Sequence, residues 1–360
     1  MPLRRAGAQR QFQLRQPPPP PPFPQCRAEL VHVIILAPRA IPAGELRRYP
    51  AAANVGIMEF GLLLPSGSAQ VPSRAIVDTA VTAERLGFDS VWAGDSMVRA
   101  RLEPLTLLSA VAQATERVRL GTAVLIPAHR HPVQAAITLS SLDVLSGGRL
   151  VVGVGAGFPG FSEQEFNLVG VRFKTRFSHL DDTVTLWRQL WTGRPARFDG
   201  KVLHYDWLPE VPRPVQPGGP PVWLGGITPA ALRRTGQLYD GWLPYPPDPA
   251  DYAKGLATIR EGGRDVTPAL FATVYLDDDA ERGTRALDEY CRAVYARPLD
   301  FVGRIQAMLT GPDLATQLAR FAEAGAGHVL LRIAAVDPGT YAGQLEMAAE
   351  LLSVLRRRLG

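Results

Sequence analysis

The sequence predicts a closed (β/α)8 barrel of the TIM type, with insertions after the fourth strand. Three observations predict it. Short apolar runs alternate with helical stretches eight times between Met58 and Gly360. One of them, Val118–Leu125, is short and mostly apolar rather than alternating, as a strand covered on both faces is. Several end in glycine or small polar residues, which places the functional end where the strands finish.

Met58–Leu64 is the first strand, closed by Pro65-Ser66-Gly67. Ser73–Leu86 is a helix ended by Gly87, and Phe88–Trp92 is the second strand, running into Ala93-Gly94-Asp95-Ser96. Pro104 opens a helix to Glu116, because its missing N–H is not needed at the first helical position. Val118–Leu125 is the third strand. Pro132 starts the next helix, with Ala135, Ala136, Leu139 and Leu142 at helical spacing. Ser146-Gly147-Gly148 stops it, and Arg149–Val154 is the fourth strand. Strand, helix, strand at this length means a parallel pair with a right-handed crossover.

Two excursions follow, at 158–179 and 193–220; the second holds six prolines, too many for a central strand. Between them Leu180–Trp191 is helical, with Leu180, Val184, Trp187 and Trp191 on one face. Pro221–Leu224, Tyr239–Leu243, Leu270–Leu276 and His328–Ile333 complete the eight strands. Helices are predicted after Thr228-Pro229 and over Asp251–Glu261, Asp279–Leu309, Pro312–Ala324 and Tyr341–Leu359.

The 360 residues carry a net charge of +5, but 1–57 alone hold eight Arg against two Glu. The remainder is close to neutral, so nucleic-acid binding is not expected. Residues 1–57 also hold 11 of the 33 prolines and read as a disordered extension ahead of a barrel domain over 58–360. Met58 is the expected true start, since a strand begins there with almost no lead-in. Two cysteines make no disulfide framework and fit a reducing cytoplasm. No apolar run reaches membrane-spanning length.

Gly153, Gly155 and Gly157 imitate a dinucleotide fingerprint, but Phe158-Pro159-Gly160 breaks the helix that fingerprint requires. Gly225-Gly226-Ile227-Thr228-Pro229 is the best anion site: Thr228 suits an N-cap and Pro229 the first helical turn, leaving free N–H groups toward a phosphate. Asp95 ends a strand, where it is either functional or caps a helix or pairs with Arg99 or Arg101. His129 and His131 lack a third ligand at metal spacing, so no metal is expected. Both read as solvated or capping, although His129 could reach the site. Trp242 reads as core. Arg332 is placed to bind a phosphate or an anionic substrate.

GFDSVWAGDS (87–96), EPLTLLSAVAQATERVRLGTAVL (103–125), HPVQAAITLSSLDVLSGGRLVVGVGAG (131–157), HLDDTVTLWRQLWTG (179–193) and PPVWLGG (220–226), in this order, resemble the luciferase-like monooxygenases. That resemblance implies a flavin-type ring across the C-terminal face of the barrel. It implies cofactor contacts from Leu64, Asp95, Ser96, Thr122, Ala123, Val124, Gly155, Ala156, Gly157, Phe158, Gly225, Gly226, Ile227 and Thr228, and catalytic roles for Asp95 and His129. It also implies a cis Ala123–Val124 peptide and a homodimer. Two positions depart from the family: Ser96 stands where many relatives have a catalytic His, and Phe158 where sugar-phosphate dehydrogenases have a Glu. The first expectation is an oxidoreductase using reduced FMN and oxygen on a small organic substrate, with a separate flavin reductase as partner. The alternatives are hydride transfer with the 5-deazaflavin coenzyme F-420, and a barrel that binds flavin without turnover.

Overall fold

The computed structural model describes residues 58–65, 73–160 and 162–359. The expectations for residues 1–57, including the disordered extension, lie outside the described residues. Eight parallel strands form one closed ring: β1 (Glu59–Leu63), β2 (Ser90–Ala93), β3 (Arg119–Thr122), β4 (Leu150–Val154), β5 (Val222–Leu224), β6 (Gly241–Trp242), β7 (Thr267–Tyr275) and β8 (His328–Ile333). β8 pairs with both β1 and β7, and β6 pairs with β7 through Gly241 and Thr267, which closes the circle. Helices between the strands cover the outside, from Ser73–Arg85 to the closing helix Pro338–Leu359.

Side chains alternate between the lumen and the helical coat, as strand geometry requires. Phe60, Leu62, Val91 and Leu120 point outward into the main core, while Trp92, Val151, Trp223, Ala269 and Leu330 fill the lumen. Trp92 and Trp223 meet with ring centroids 5.3 Å apart. Glycines on neighbouring strands make room for them. A methyl on Gly121 would lie 2.0 Å from the Trp92 ring, and one on Gly241 would lie 2.2 Å from the Trp223 ring. Below the indoles, His328 bonds Ser90 through Nε2 at 3.1 Å and Glu59 through Nδ1 at 3.1 Å. Arg119 pairs with Glu59 at the same end.

Some predicted boundaries shift. β3 ends at Thr122, and Leu125 makes only a single bridge to Val154. The stretch predicted helical over Asp279–Leu309 holds helices Ala280–Tyr295 and Leu299–Val302, then a strand, Met308–Thr310, which lies parallel along the overhanging half of β7. The first excursion carries a short helix, Glu163–Leu168, and the second a two-stranded hairpin, Phe198–Asp199 with His204–Tyr205. Among the described residues no helix is long and apolar enough to cross a membrane.

Candidate active site

At the C-terminal rim the chain leaves β2 through Gly94 and sets Asp95 beside the loop that follows β3. Asp95 Oδ2 accepts from Arg130 Nη1 at 2.6 Å and from the Ile126 N–H at 3.0 Å. Oδ1 accepts from Arg130 Nη2 at 3.2 Å. The expectation that Asp95 caps a helix or pairs with Arg99 or Arg101 is therefore corrected: Arg130 reaches it first with a planar, two-pronged fork. Arg130 also holds Glu103, whose carboxylate caps the helix Pro104–Ala114 through the Thr106 N–H. Burial would raise the pKa of Asp95, but the nearby His129 ring and the Arg130 charge outweigh it and hold it at about 2. Near neutrality Asp95 is a fixed anion rather than a proton carrier.

His129 closes a short turn, Pro127–His129, that directs its ring inward. The side chain is only 2% exposed, which corrects the solvated or capping role. Nδ1 lies 3.6 Å from Asp95 Oδ2 and Nε2 lies 3.8 Å from Glu165 Oε2. Neither ring nitrogen has a hydrogen bond among the described residues. The ring edge rests on Phe166, 6.0 Å between centroids. His131 occupies the N-cap position of helix Pro132–Leu145 by its backbone alone; its side chain makes no capping bond and meets the Tyr205 ring instead.

Glu165 is the residue that sequence reasoning misses. It lies on the short helix after β4 and is buried. Its Oε1 accepts from the Ser96 hydroxyl at 2.8 Å, the Met97 N–H at 2.7 Å and the Val98 N–H at 3.3 Å. Its other oxygen faces His129. The only signal was an acid-rich segment, Ser162-Glu163-Gln164-Glu165, of a kind that usually marks a solvated helix start. Asp95, Ser96, His129 and Glu165 thus form one cluster drawn from three loops.

Beside it, the Ala123–Val124 peptide is cis. The Val124 side chain lies across two glycines: a methyl on Gly155 would be 2.8 Å from its Cγ2, and one on Gly225 3.5 Å from its Cγ1. Gly153 packs on the carbonyl of Thr122, where a methyl would sit 2.1 Å away. The Thr122 hydroxyl donates to the Gly153 carbonyl at 2.7 Å and is committed to the β3–β4 junction. Gly157, at φ +76°, turns the chain tightly against Ser162 and Phe166. Ala156 is half-buried against the main core, and Phe158 lies at the surface, 46% exposed. Leu64 belongs to the outer core, not the mouth, because Phe60, Leu62 and Leu64 share the outward face and Leu63 takes the lumen side.

The strongest anion cradle is the turn after β5. Gly226 has φ +125°, a conformation open to glycine, and Thr228 caps the helix Pro229–Leu238 by accepting from the Ala231 N–H at 3.2 Å. The N–H groups of Gly226, Ile227 and Thr228 donate to no protein group among the described residues. They stand at the positive end of that helix, so the residues present fit a phosphate. Trp242 is buried against Tyr252, and its indole N–H holds the Gly226 carbonyl at 2.9 Å, which fixes the cradle from below.

Residues 58–356 match the family model of luciferase-like monooxygenases. An F420-dependent glucose-6-phosphate dehydrogenase of Nakamurella multipartita is 37% identical over 224 residues, which spans 59% of this chain and 60% of that relative. One of the same name from Amycolatopsis mediterranei is 27% identical over 309 residues, 72% of this chain and 89% of that relative. Among solved structures, an F420-dependent secondary alcohol dehydrogenase with an F420-acetone adduct superimposes with a TM-score of 0.71 at 19% identity, covering 83% of this chain and 99% of its own. A type II Baeyer-Villiger monooxygenase from Pseudomonas putida in complex with FMN gives 0.67 at 19% identity, covering 83% and 99%. These two likenesses concern the fold. With its ring of eight strands, its ordered motifs and a family model matched almost from end to end of the barrel, the chain belongs to the luciferase-like monooxygenase family.

Proposed function

We propose that this protein is a deazaflavin-dependent oxidoreductase that moves a hydride between coenzyme F-420 and a small organic substrate. The observation that carries the reading is that the two sequence relatives above, matched over 60% and 89% of their own length, are named as F420-dependent enzymes. It displaces the FMN-and-oxygen reading as the first choice, which is supported by the description of the family model and by fold neighbours such as the FMN-bound monooxygenase.

The bound deazaflavin supplies the hydride acceptor or donor. This chain's residues do the rest. The free N–H groups of Gly226, Ile227 and Thr228 hold a phosphate, and Val124, Gly155 and Gly225 form a flat wall beside it. His129 is the proton-handling group. Its ring lies between the Asp95 and Glu165 carboxylates, with a carboxylate oxygen within 3.8 Å of each nitrogen. Asp95, anchored by Arg130, fixes one side of that ring, and Glu165 links the other to the Ser96 hydroxyl at the rim. Ser96 thus carries the proton path outward where many relatives of the family have His.

Titration of the protein with F-420 and with FMN, followed by fluorescence, tests the assignment. F-420 should bind more tightly, and a reductase or dehydrogenase assay should depend on it under anaerobic conditions. Oxygen uptake with reduced FMN, with no F-420 binding, would overturn the reading in favour of the monooxygenase. Binding of either cofactor with no turnover on any substrate class would leave a non-catalytic barrel. A homodimer and a cytoplasmic location belong to the same proposal, and light scattering of the purified protein checks the first.

A further inference from the structure

Two arginines at the barrel mouth have no carboxylate partner among the described residues. Arg332 follows His328 and Leu330 on the lumen face of β8, so it points into the mouth one layer above the indoles. Its guanidinium donates to the Thr273 hydroxyl at 3.0 and 2.6 Å. It is also caged by the rings of Phe271, Tyr290 and Tyr295 at 5.0, 5.5 and 5.3 Å. Arg101, from the loop after β2, lies against Gly94, where a methyl would meet its Nη1 at 2.6 Å and the Ala123 carbonyl at 3.5 Å. Its Nε is buried and hydrogen-bonds nothing among the described residues. Burial and the like charges of Arg99 and Arg332 lower its pKa, against the pull of Asp95 and Tyr290.

A half-buried cation with no carboxylate at ion-pair distance is costly, and an anion brought to it recovers that cost. The position on the ring says which anion. β2 and β8 flank β1, whereas β5, which leads into the phosphate cradle, stands opposite β1 in the circle of eight. The arginines therefore face the cradle across the mouth and are not part of it.

We propose that Arg101 and Arg332 form the anion-binding end of the substrate pocket, so that the substrate carries a terminal phosphate or carboxylate. This deepens the reading above and rests on it for the word substrate. The chemistry shared by the two anions is a set of oxygens matched to a guanidinium fork, and cation–π contacts hold Arg332 ready for it.

The test uses the full chain, with inorganic phosphate and acetate as probes in calorimetry at constant ionic strength, without F-420 and again with F-420 saturating so that the cradle after β5 is filled. Both anions, or one of them, should bind the wild-type protein, and Arg101→Gln should weaken that binding about tenfold or more. Arg101→Lys should restore part of it. F-420 affinity should stay within about threefold in both variants, since only losses well beyond that would amount to a lost charged contact. Arg332→Gln should act in the same direction, with Arg332→Lys as the variant that keeps the buried charge should the glutamine fail to fold. Preference for phosphate supports a phosphomonoester substrate, and preference for acetate a carboxylic acid. Absence of binding to the wild type, or unchanged binding in Arg101→Gln and the Arg332 variant, overturns the proposal. A loss of F-420 affinity matching the loss of anion affinity does so too, because the arginines would then serve the cofactor. Anion binding that depends on Arg101 in a protein that binds no F-420 sinks the functional reading and leaves the subsite standing.

Discussion

The Ser96 hydroxyl donates to Glu165 at 2.8 Å, joining the loop after β2 to the short helix after β4 across 69 residues of sequence. The same carboxylate oxygen takes the N–H groups of Met97 and Val98. Glu165→Ala would strand three donors at once. It should cost about 1–2 kcal/mol, since half-buried donors lose their acceptor and water replaces it only in part. Glu165→Gln keeps an acceptor and should cost less. Urea unfolding of both variants measures the difference, and equal losses would show that the oxygen is not what holds the loop.

His129→Gln removes the ring held between the two carboxylates. Turnover should fall about a hundredfold or more, the usual contribution of one acid–base group, while cofactor affinity holds. Steady-state kinetics at saturating cofactor decide it. A variant that binds and turns over normally would confine His129 to packing against Phe166.

Acid should loosen the bottom of the barrel. Burial would raise the pKa of Glu59, but His328 and Arg119 override it and hold it at about 2, below its ordinary 4.5. A carboxylate lowered on folding adds stability above its unfolded pKa and loses it as pH falls toward the folded one. The window is thus from about pH 4.5 down to about pH 2, and the loss is about 2–3 kcal/mol at most. Glu59→Gln should flatten that part of a pH–stability curve measured by urea midpoints. The same slope in wild type and variant would move the cause elsewhere.

Gly121→Ala presses a methyl to within 2.0 Å of the Trp92 ring, and the facing indole of Trp223 blocks retreat. The cost should be about 3 kcal/mol or more. A thermal midpoint lowered by several degrees relative to wild type, read by circular dichroism, checks it.

Thr228→Ala deletes the hydroxyl that caps helix Pro229–Leu238. It should cost about 1 kcal/mol in stability and weaken F-420 more than it weakens inorganic phosphate or acetate at Arg101. Fluorescence titration beside calorimetry separates the two sites.

All eight barrel strands were legible in the sequence because each is a short, mostly apolar run between helical stretches, and the last, His328–Ile333, matches at both ends. Met308–Thr310 was not legible. Three residues following a helical stretch carry no period of their own, and the run becomes a strand only because β7 extends past its neighbours. Leu64 shows a finer limit. A period of two assigns faces only once the register is known, and one residue separates the lumen from the coat. At the site, the glycines and the Thr228 cap could be read from local rules. Glu165 could not, since nothing nearby in sequence tells that its carboxylate is turned inward to meet Ser96 and His129.

The paired indoles of Trp92 and Trp223 also bear on traffic. They close the axis of the ring, so a small molecule that enters at the glycine rim has to leave by the same opening. A flat coenzyme laid against Val124 would then sit underneath whatever lands above it. If the proposed coenzyme lies there, product should depart before it, and inhibition patterns should show a compulsory order.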